Sequence, residues 1–549
     1  MKVLSVQKRQ LFKSPAWFHL LLTVLVAGTL VFAAIEMVEN AFIQDDAFIA
    51  FRYARNLAEG RGVVYNPGEY VEGYTDPLWV ALMAGSLLLG ISPIWASSML
   101  GYLSSLVATA LVFWFVWCFY TRTSEERHPS DLAPFCAVLL LPLNRSWTAY
   151  ATGGLETSFF AMLAMLSIVL TLFHRDQSKT LFVASNLSFL ALCLTRPDGL
   201  LLYGITNVAL VGLHRESPAR ILRWNVPFAV AFTLFLGWKL VYYGHLLPNT
   251  YHAKSVTVPY LDRGWVYLKA FYVGYGYPIL AIALPMGVGL TLAARSKWVT
   301  VETSLRRACG LYLLPLVVAV VAFNLYVGWV GGGFMEWKPL MHVYPLTVTA
   351  ICVSLLALQR SIRHARFVVP ILVLIVICGS PRKIPVADLP EHVLSTQSLA
   401  SQIAPRRWAR IGRALRFRLP PDTIIATSAA GAIPYFSRLY TVDIAGLTDA
   451  TVGRQQLRKR GVVGHEKIAS KTYLQSRKVN LVFRGLDFTE EEDIPEIPAG
   501  QLSVPNVYIR IGDGLWLCAE YLTKTPELTA FFRQNSDDFI LVQVNPIPR

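Results

Sequence analysis

The sequence predicts a polytopic α-helical membrane protein ending in an external α/β or α+β domain. Three observations predict it. Of 549 residues, 54% are hydrophobic and 15% charged, and the mean hydropathy is +0.45, far too apolar for an ordinary soluble chain. Apolar runs of span length recur from Ala16 to about residue 380. From Arg382 to Arg549 charges, prolines and short β-type runs alternate instead.

The net charge of +15 has a membrane explanation. Lys and Arg lie mostly in short loops between apolar runs, as the positive-inside rule requires, so nucleic acid is excluded as a partner. Six of the seven cysteines fall in or beside apolar runs and only Cys518 in the polar C-terminal part. No CxxC pattern or disulfide framework arises.

In chain order, the basic MKVLSVQKRQLFKS stays cytoplasmic and precedes an uncleaved first span, near 16–37. Basic loops holding Arg175 and Lys179, Arg215 to Arg223, Arg295 to Arg307, and Arg360 to Arg366 are also assigned inside. Spans near 157–173, 180–195, 199–213, 225–245, 268–294, 308–329, 341–358 and 367–380 alternate with those assignments. Between Pro77 and Leu143 both ends must be external, so runs 77–93 and 97–120 cross and the short 133–143 run is a half-span. The count is about eleven spans within residues 1–380, and residues 381–549 form one external domain. Strands are expected at IIATSAAGAIPYF, LYTVDIAGL, VNLVFRGL, VYIRI and FILVQV, with helical spacing over 393–416 and 453–477.

The first external loop, 38–76, is the richest in chemistry. Asp45, Ile49, Arg52 and Asn56 recur at helical spacing, so one face carries an acid, a base and an amide. Phe48, Phe51, Ala54 and Leu57 could seat that helix on the membrane surface, which leaves open a plain interfacial helix with a solvated loop. The paired Asp45-Asp46 lies just beyond the first span, where charge is costly and usually functional. Four further polar clusters share that side: Gly153-Gly-Leu-Glu156, Arg196-Pro-Asp198, Tyr242 to Lys254, and Gly331 to Lys338. Each has a structural alternative. Glu156 suits a helix N-terminus, Arg196 and Asp198 suit a turn with an internal ion pair, and Lys254 suits a snorkelling cation. Their convergence on one face argues for a site. No GxxxxGK[ST], HExxH or GxSxG occurs, which argues against ATP-driven transport and common hydrolase chemistry.

Asp45-Asp46-Ala-Phe-Ile-Ala-Phe-Arg52-Tyr-Ala-Arg55-Asn56, Val64-Tyr-Asn66-Pro-Gly-Glu69 and Glu72-Gly-Tyr74-Thr75 resemble the first external loop of the bacterial GT-C glycosyltransferases that use polyprenyl-phosphate sugars. That family includes the terminal arabinofuranosyltransferases of the mycobacterial cell wall. Gly153 to Glu156, Arg196-Pro-Asp198-Gly, Pro248-Asn249-Thr, Gly331 to Met335, Ala429 to Tyr435 and Asp443 to Asp449 are similar too. The resemblance departs at Gly333, where relatives tend to carry an aspartate, and at Lys338, near a family arginine. Glu336 is the nearest acid to take the missing role.

The resemblance implies sugar transfer from a polyprenyl-phosphate donor to a glycan or protein acceptor at the outer membrane surface. Asp45 is then the expected general base, with Asp46 orienting it or sharing the role. Arg52, Arg196, Lys254, Lys338 and Asn249 are the expected phosphate ligands. Substrate contacts are expected from Arg55, Asn66, Glu72, Tyr74, Thr75, Glu156, Asp198, Tyr251 and His252. A divalent metal on Asp46, Glu156 or Asp198 is compatible with the sequence but not required by it. Readings from other classes are a lipid-linked glycan flippase and a non-catalytic glycan-binding membrane protein. Polar residues at span centres, which a transporter needs, are sparse.

Overall fold

The computed structural model describes residues 16–123, 129–174, 179–212, 217–254, 259–276, 303–361, 365–403, 407–457, 461–462, 464–494, 506–512 and 514–542. The basic N-terminus, Arg175, Arg215, Arg295, Lys297, Arg363 and the predicted span beyond residue 276 lie outside them.

Helices α1 (Ala16–Glu39), α2 (Asp45–Ala58), α3 (Pro77–Leu88) and α4 (Pro93–Thr123) open the chain. At about 1.5 Å per residue, the 24 residues of α1 and 31 of α4 exceed the hydrocarbon thickness of a bilayer. The 130–143 run is a chain of short helical turns, in keeping with its half-span length. Helix α5 (Arg145–Thr152) bends by 106° into α6 (Thr157–Val169), because Gly153 and Gly154, the latter at φ +81°, break the path between them. Then come α7 (Lys179–Thr195), α8 (Gly199–Gly212), α9 (Pro218–Tyr243), the single turn α10 (Asn249–Ala253) and α11 (Leu261–Gly274). Helices α12 (Leu314–Trp329), α13 (Lys338–Met341), α14 (Tyr344–Ser361) and α15 (Ala365–Gly379) complete the helical part. Four described helices are long and apolar enough to cross a membrane, five if the bent α5–α6 pair is one span, and five more apolar helices are shorter. Rows of exposed Leu, Val and Trp on α1, α4, α9 and α15 suit lipid contact.

The C-terminal part is α/β. Helix α16 (Trp408–Arg418) leads into β1 (Ile424–Thr427), α17 (Ala432–Ser437) and β2 (Tyr440–Asp443), then α18 (Lys471–Ser476) and β3 (Leu481–Phe483). Strands β4 (Phe488–Glu490), β5 (Asn506–Gly512) and β6 (Leu515–Tyr521), helix α19 (Pro526–Gln534) and β7 (Phe539–Val542) follow. The sheet runs β2-β1-β3-β6-β5-β7, with β4 beside β6. β1 is parallel to β2 and β3, and the other pairings are antiparallel.

Two expectations change here. IIATSAAGAIPYF is a strand and a helix, because Ser428 to Gly431 turn the chain and α17 begins at Ala432. Among the described residues of the helix expected over 453–477, α18 is helical, and Ser470 caps it through the Tyr473 N–H. Strand β6, LWLCAEY, went unread although its burial alternates as a half-buried strand should.

Helix α2 is not an interfacial helix resting on lipid. Phe48, Phe51, Tyr53 and Ala54 are buried, and α2 is wedged between α3 and α17. The Phe48 ring meets Tyr435 at 5.4 Å and Phe436 at 5.3 Å, and the Arg55 guanidinium stacks 3.5 Å over the Tyr435 ring.

Candidate active site

On the face that Asp45, Arg52 and Asn56 share, Asp45 and Arg52 meet the C-terminal part, and Asn56 donates to the Val64 and Tyr65 carbonyls of its own loop. The Asp45 carboxylate accepts from the Ala432 N–H at 2.6 Å and the Gly431 N–H at 3.1 Å. Gly431 has to be small: a Cβ there would press on Asp45 itself, 2.5 Å from its Cγ. Burial is the main influence on Asp45 and raises its pKa to about 7, with the Asp46 charge adding to it and the two N–H groups opposing. Arg52 spends its donors on the carbonyls of Tyr65, Pro434 and Leu439 and on Asn66 Oδ1, at 2.6–2.9 Å. Asn66 also donates to the Thr441 carbonyl, and Arg55 donates to the Tyr435 carbonyl.

On the other side Asn249 Nδ2 reaches the carbonyls of Gly446 and Leu447, both at 2.9 Å. Lys467 Nζ donates to the His252 carbonyl at 2.7 Å. Glu72 pairs with the buried Lys239 of α9 at 2.9 Å, and the Tyr74 and Tyr243 hydroxyls lie 3.0 Å apart. None of Asp45, Arg52, Arg55, Asn66, Glu72, Tyr74, Asn249 and His252 lines the cavity described next. Asp45, Arg52, Arg55, Asn66 and Asn249 bond to the C-terminal part, whereas Glu72 and Tyr74 pair with Lys239 and Tyr243 within the helical part, because a buried polar group must find its partners.

A cavity of about 560 Å³ opens beside α2, within the usual range for ligand pockets. Asp46 and Thr75 line it from the first loop, and Thr250, Tyr251 and Lys254 line it from α10. Arg196 and Asp198 belong to the α7–α8 turn, and Leu201 to the first turn of α8. Phe323, Tyr326 and Val327 of α12 form an apolar wall, and Gly332 to Met335, Lys338 and His342 close the remainder. Asp46 reaches the cavity because consecutive helical residues point about 100° apart, so it leaves the face that Asp45 shares with Arg52.

The cations of the cavity differ in what already holds them. Arg196 Nε lies 2.8 Å from Asp198 Oδ2, and its Nη1 lies 2.5 Å from Glu156 Oε1, so the ion-pair alternative holds for this residue. Burial works against the charge of Asp198, but Arg196 holds its carboxyl below the usual range, and the Tyr326 hydroxyl donates to it at 2.9 Å. Glu156 does not line the cavity, and Lys338 Nζ lies 3.6 Å from its Oε1. Lys254 has no hydrogen-bond or ion-pair partner among the described residues, and it is partly buried. Burial lowers its pKa; the nearby charges of Arg196 and Lys338 add to that, and Asp46 and Asp198 oppose it.

Of the three carboxylates expected for a divalent metal, Asp46 alone lines the cavity without an ion-pair partner among the described residues. Glu156 and Asp198 turn their oxygens on Arg196, and no three His, Cys, Asp or Glu side chains converge among the described residues. Glu336 does not take over at Gly333 either. Its carboxylate accepts from Ser146 Oγ at 2.7 Å and the Thr396 N–H at 2.6 Å, tying its loop to residues far along the chain. Sequence reasoning missed His342 and Tyr326. The signal available was a polar side chain inside an otherwise apolar run, in MHVYPLTV and in FNLYVGW.

Residues 397–529 match a family model described only as a domain of unknown function, DUF8728. Over 356 residues the chain is 26% identical to the terminal beta-(1->2)-arabinofuranosyltransferase of Corynebacterium glutamicum, covering 57% of this chain and 48% of that one. Over 326 residues it is 26% identical to the Mycobacterium tuberculosis protein of the same name, covering 55% and 51%. The chain thus spans about half the length of the curated relatives it matches. Among solved structures, ArnT from Cupriavidus metallidurans bound to undecaprenyl phosphate aligns with a TM-score of 0.52 at 13% identity, covering 92% of this chain and 99% of that one. In sequence the chain is similar to the terminal beta-(1->2)-arabinofuranosyltransferases, and it is a polytopic helical membrane protein sharing the ArnT fold.

Proposed function

We propose that the protein is a membrane glycosyltransferase that moves a sugar, arabinofuranose by likeness to its named relatives, from a polyprenyl-phosphate donor to a glycan acceptor. One observation carries the reading: a single cavity places an unpartnered lysine, Lys254, together with the carboxylate Asp46 beside the apolar wall of Phe323 and Val327. An anionic head on an apolar tail matches that combination.

In this reading Asp46 takes the proton from the acceptor hydroxyl as its oxygen bonds to the anomeric carbon. The bond from that carbon to the phosphate oxygen breaks, and the departing phosphate keeps the electron pair. Lys254 stabilises the charge that develops, and Lys338 assists, since its 3.6 Å contact with Glu156 is loose. Arg196, gripped by Glu156 and Asp198, shapes the pocket. The same proposal holds residues 1–380 as the membrane part and 381–549 as an extracytoplasmic part, with the active site external, in a bacterial plasma membrane.

The test is product formation. Protein in nanodiscs receives polyprenyl-phosphate arabinofuranose and a short arabinan, and mass spectrometry reads the acceptor. A pentose increment that disappears in Asp46→Asn supports the reading. Unmodified acceptor, with the donor bound and intact, overturns it.

A further inference from the structure

Two neutral polar groups of the cavity are left without a partner. Thr250 on α10 and His342 after α13 are 6% and 2% exposed, yet no described group bonds to Thr250 Oγ1 or His342 Nε2. Both residues line the cavity, from elements about 90 residues apart in sequence. Arg196, Asp198 and Tyr326, by contrast, satisfy one another. The His342 ring is fixed by its neighbours, with Phe160 at 5.1 Å and Phe323 at 6.3 Å, both edge-on. Leaving a buried donor or acceptor unmade is costly, so such groups persist where something else completes them.

The charged residues of this cavity suit an anion and a proton transfer. A hydroxyl and an imidazole suit a different chemistry, since each can give and accept hydrogen bonds, as a sugar hydroxyl requires. Resting on the glycosyltransferase reading above, we infer that Thr250 and His342 are the residues that recognise the hydroxyls of a glycosyl group. They would thereby discriminate a sugar-bearing lipid phosphate from a bare one.

The experiment compares two ligands in nanodiscs, a polyprenyl-phosphate sugar and the same polyprenyl phosphate without sugar. The variants are Thr250→Val, which keeps shape and removes the hydroxyl, His342→Phe and His342→Gln. Thr250→Val and His342→Phe should each weaken binding of the sugar-bearing lipid about 3- to 10-fold, the worth of one neutral hydrogen bond. Binding of the bare lipid phosphate should stay within about twofold, and His342→Gln should recover part of the loss. An unchanged Kd with a raised acceptor KM would place the two residues at the acceptor and overturn their role in discriminating the donor. Equal weakening of both lipids overturns the inference, as does no change in either Kd or acceptor KM. If His342→Phe does not fold, Thr250→Val decides. Wild type that binds and transfers while the variants match it removes this inference alone. Wild type that neither binds nor transfers removes the glycosyltransferase reading with it.

Discussion

Replacing Asp45 and Asp46 one at a time by asparagine separates bracing from chemistry. Asp45 holds two backbone donors, Ala432 N–H at 2.6 Å and Gly431 N–H at 3.1 Å, each on its own oxygen. Asparagine offers one acceptor oxygen, so its amide nitrogen faces one donor and leaves it unpaired in a buried site. That costs about 1–3 kcal/mol, or a Tm lower by roughly 2–4 °C per kcal/mol. Asp45→Asn should therefore melt earlier and expose the C-terminal part to protease sooner, with kcat within about tenfold of wild type. Asp46 makes no such bond and lines the cavity. Asp46→Asn should keep the wild-type Tm and lower kcat roughly 100- to 10,000-fold, as loss of a general base does. Thermal melts and product assays on the same preparations supply both readouts. An Asp45→Asn protein with wild-type Tm and no turnover, beside an active Asp46→Asn, would refute the division of roles.

Lys254→Ala should raise donor KM by about 1.5–3 kcal/mol in equivalent binding energy, whereas Arg196→Ala should chiefly lower Tm, because it strands Glu156 and Asp198; an unchanged donor KM in Lys254→Ala counts against phosphate binding. Burial raises both Asp45 and Glu72 to about 7, Glu72 against the pull of Lys239. A raised carboxyl keeps its proton longer when folded, so its stabilisation is complete below pH ~4 and is lost as pH rises through ~7. The stability difference between wild type and Asp45→Asn should fall across that window, by at most about 1.4 kcal/mol per pH unit, in melts taken every half unit; a flat difference refutes the assignment. Topology follows from labelling with an impermeant thiol reagent on whole cells. Cysteine at Tyr70, which is 57% exposed, and at the exposed Glu490 should both react, and protection of both would invert the orientation.

Much of the architecture was legible because bilayers impose a simple rule: apolar runs must be about 20 residues long, and backbone groups must bond within the helix. By the same rule the 130–143 run, a chain of short helical turns, is shorter than a span. Strand β6 was legible and unread: Gly512-Asp-Gly514 punctuates the chain just before LWLCAEY, as a hairpin turn would, and the strand pairs with β3, β4 and β5. Within the site, the polar loops were readable as a group and Lys254, Lys338, Arg196 and Asp198 were found where the cavity lies. His342 and Tyr326 were not. A single polar residue in an apolar run carries no spacing signal, and only the fold brings the two to one cavity.

The acid pair shows why residue type alone could not assign roles. Helical spacing put Asp45, Arg52 and Asn56 on one face, and that spacing is what the structure has. An acid, a base and an amide in register read equally well as a catalytic face or as a docking face. What decides is the chemistry across the interface. The C-terminal part presents free N–H groups at the start of α17 to Asp45, and the carbonyls of Pro434 and Leu439 to Arg52. Donors meet the acid and acceptors meet the base, so that face is consumed. Asp46, turned out of it by one residue, keeps its place on the cavity beside Lys254. The docking thus has a catalytic consequence in the proposed reaction: the side chain of residue 45 is held by the C-terminal part, which anchors the start of α2 and with it residue 46.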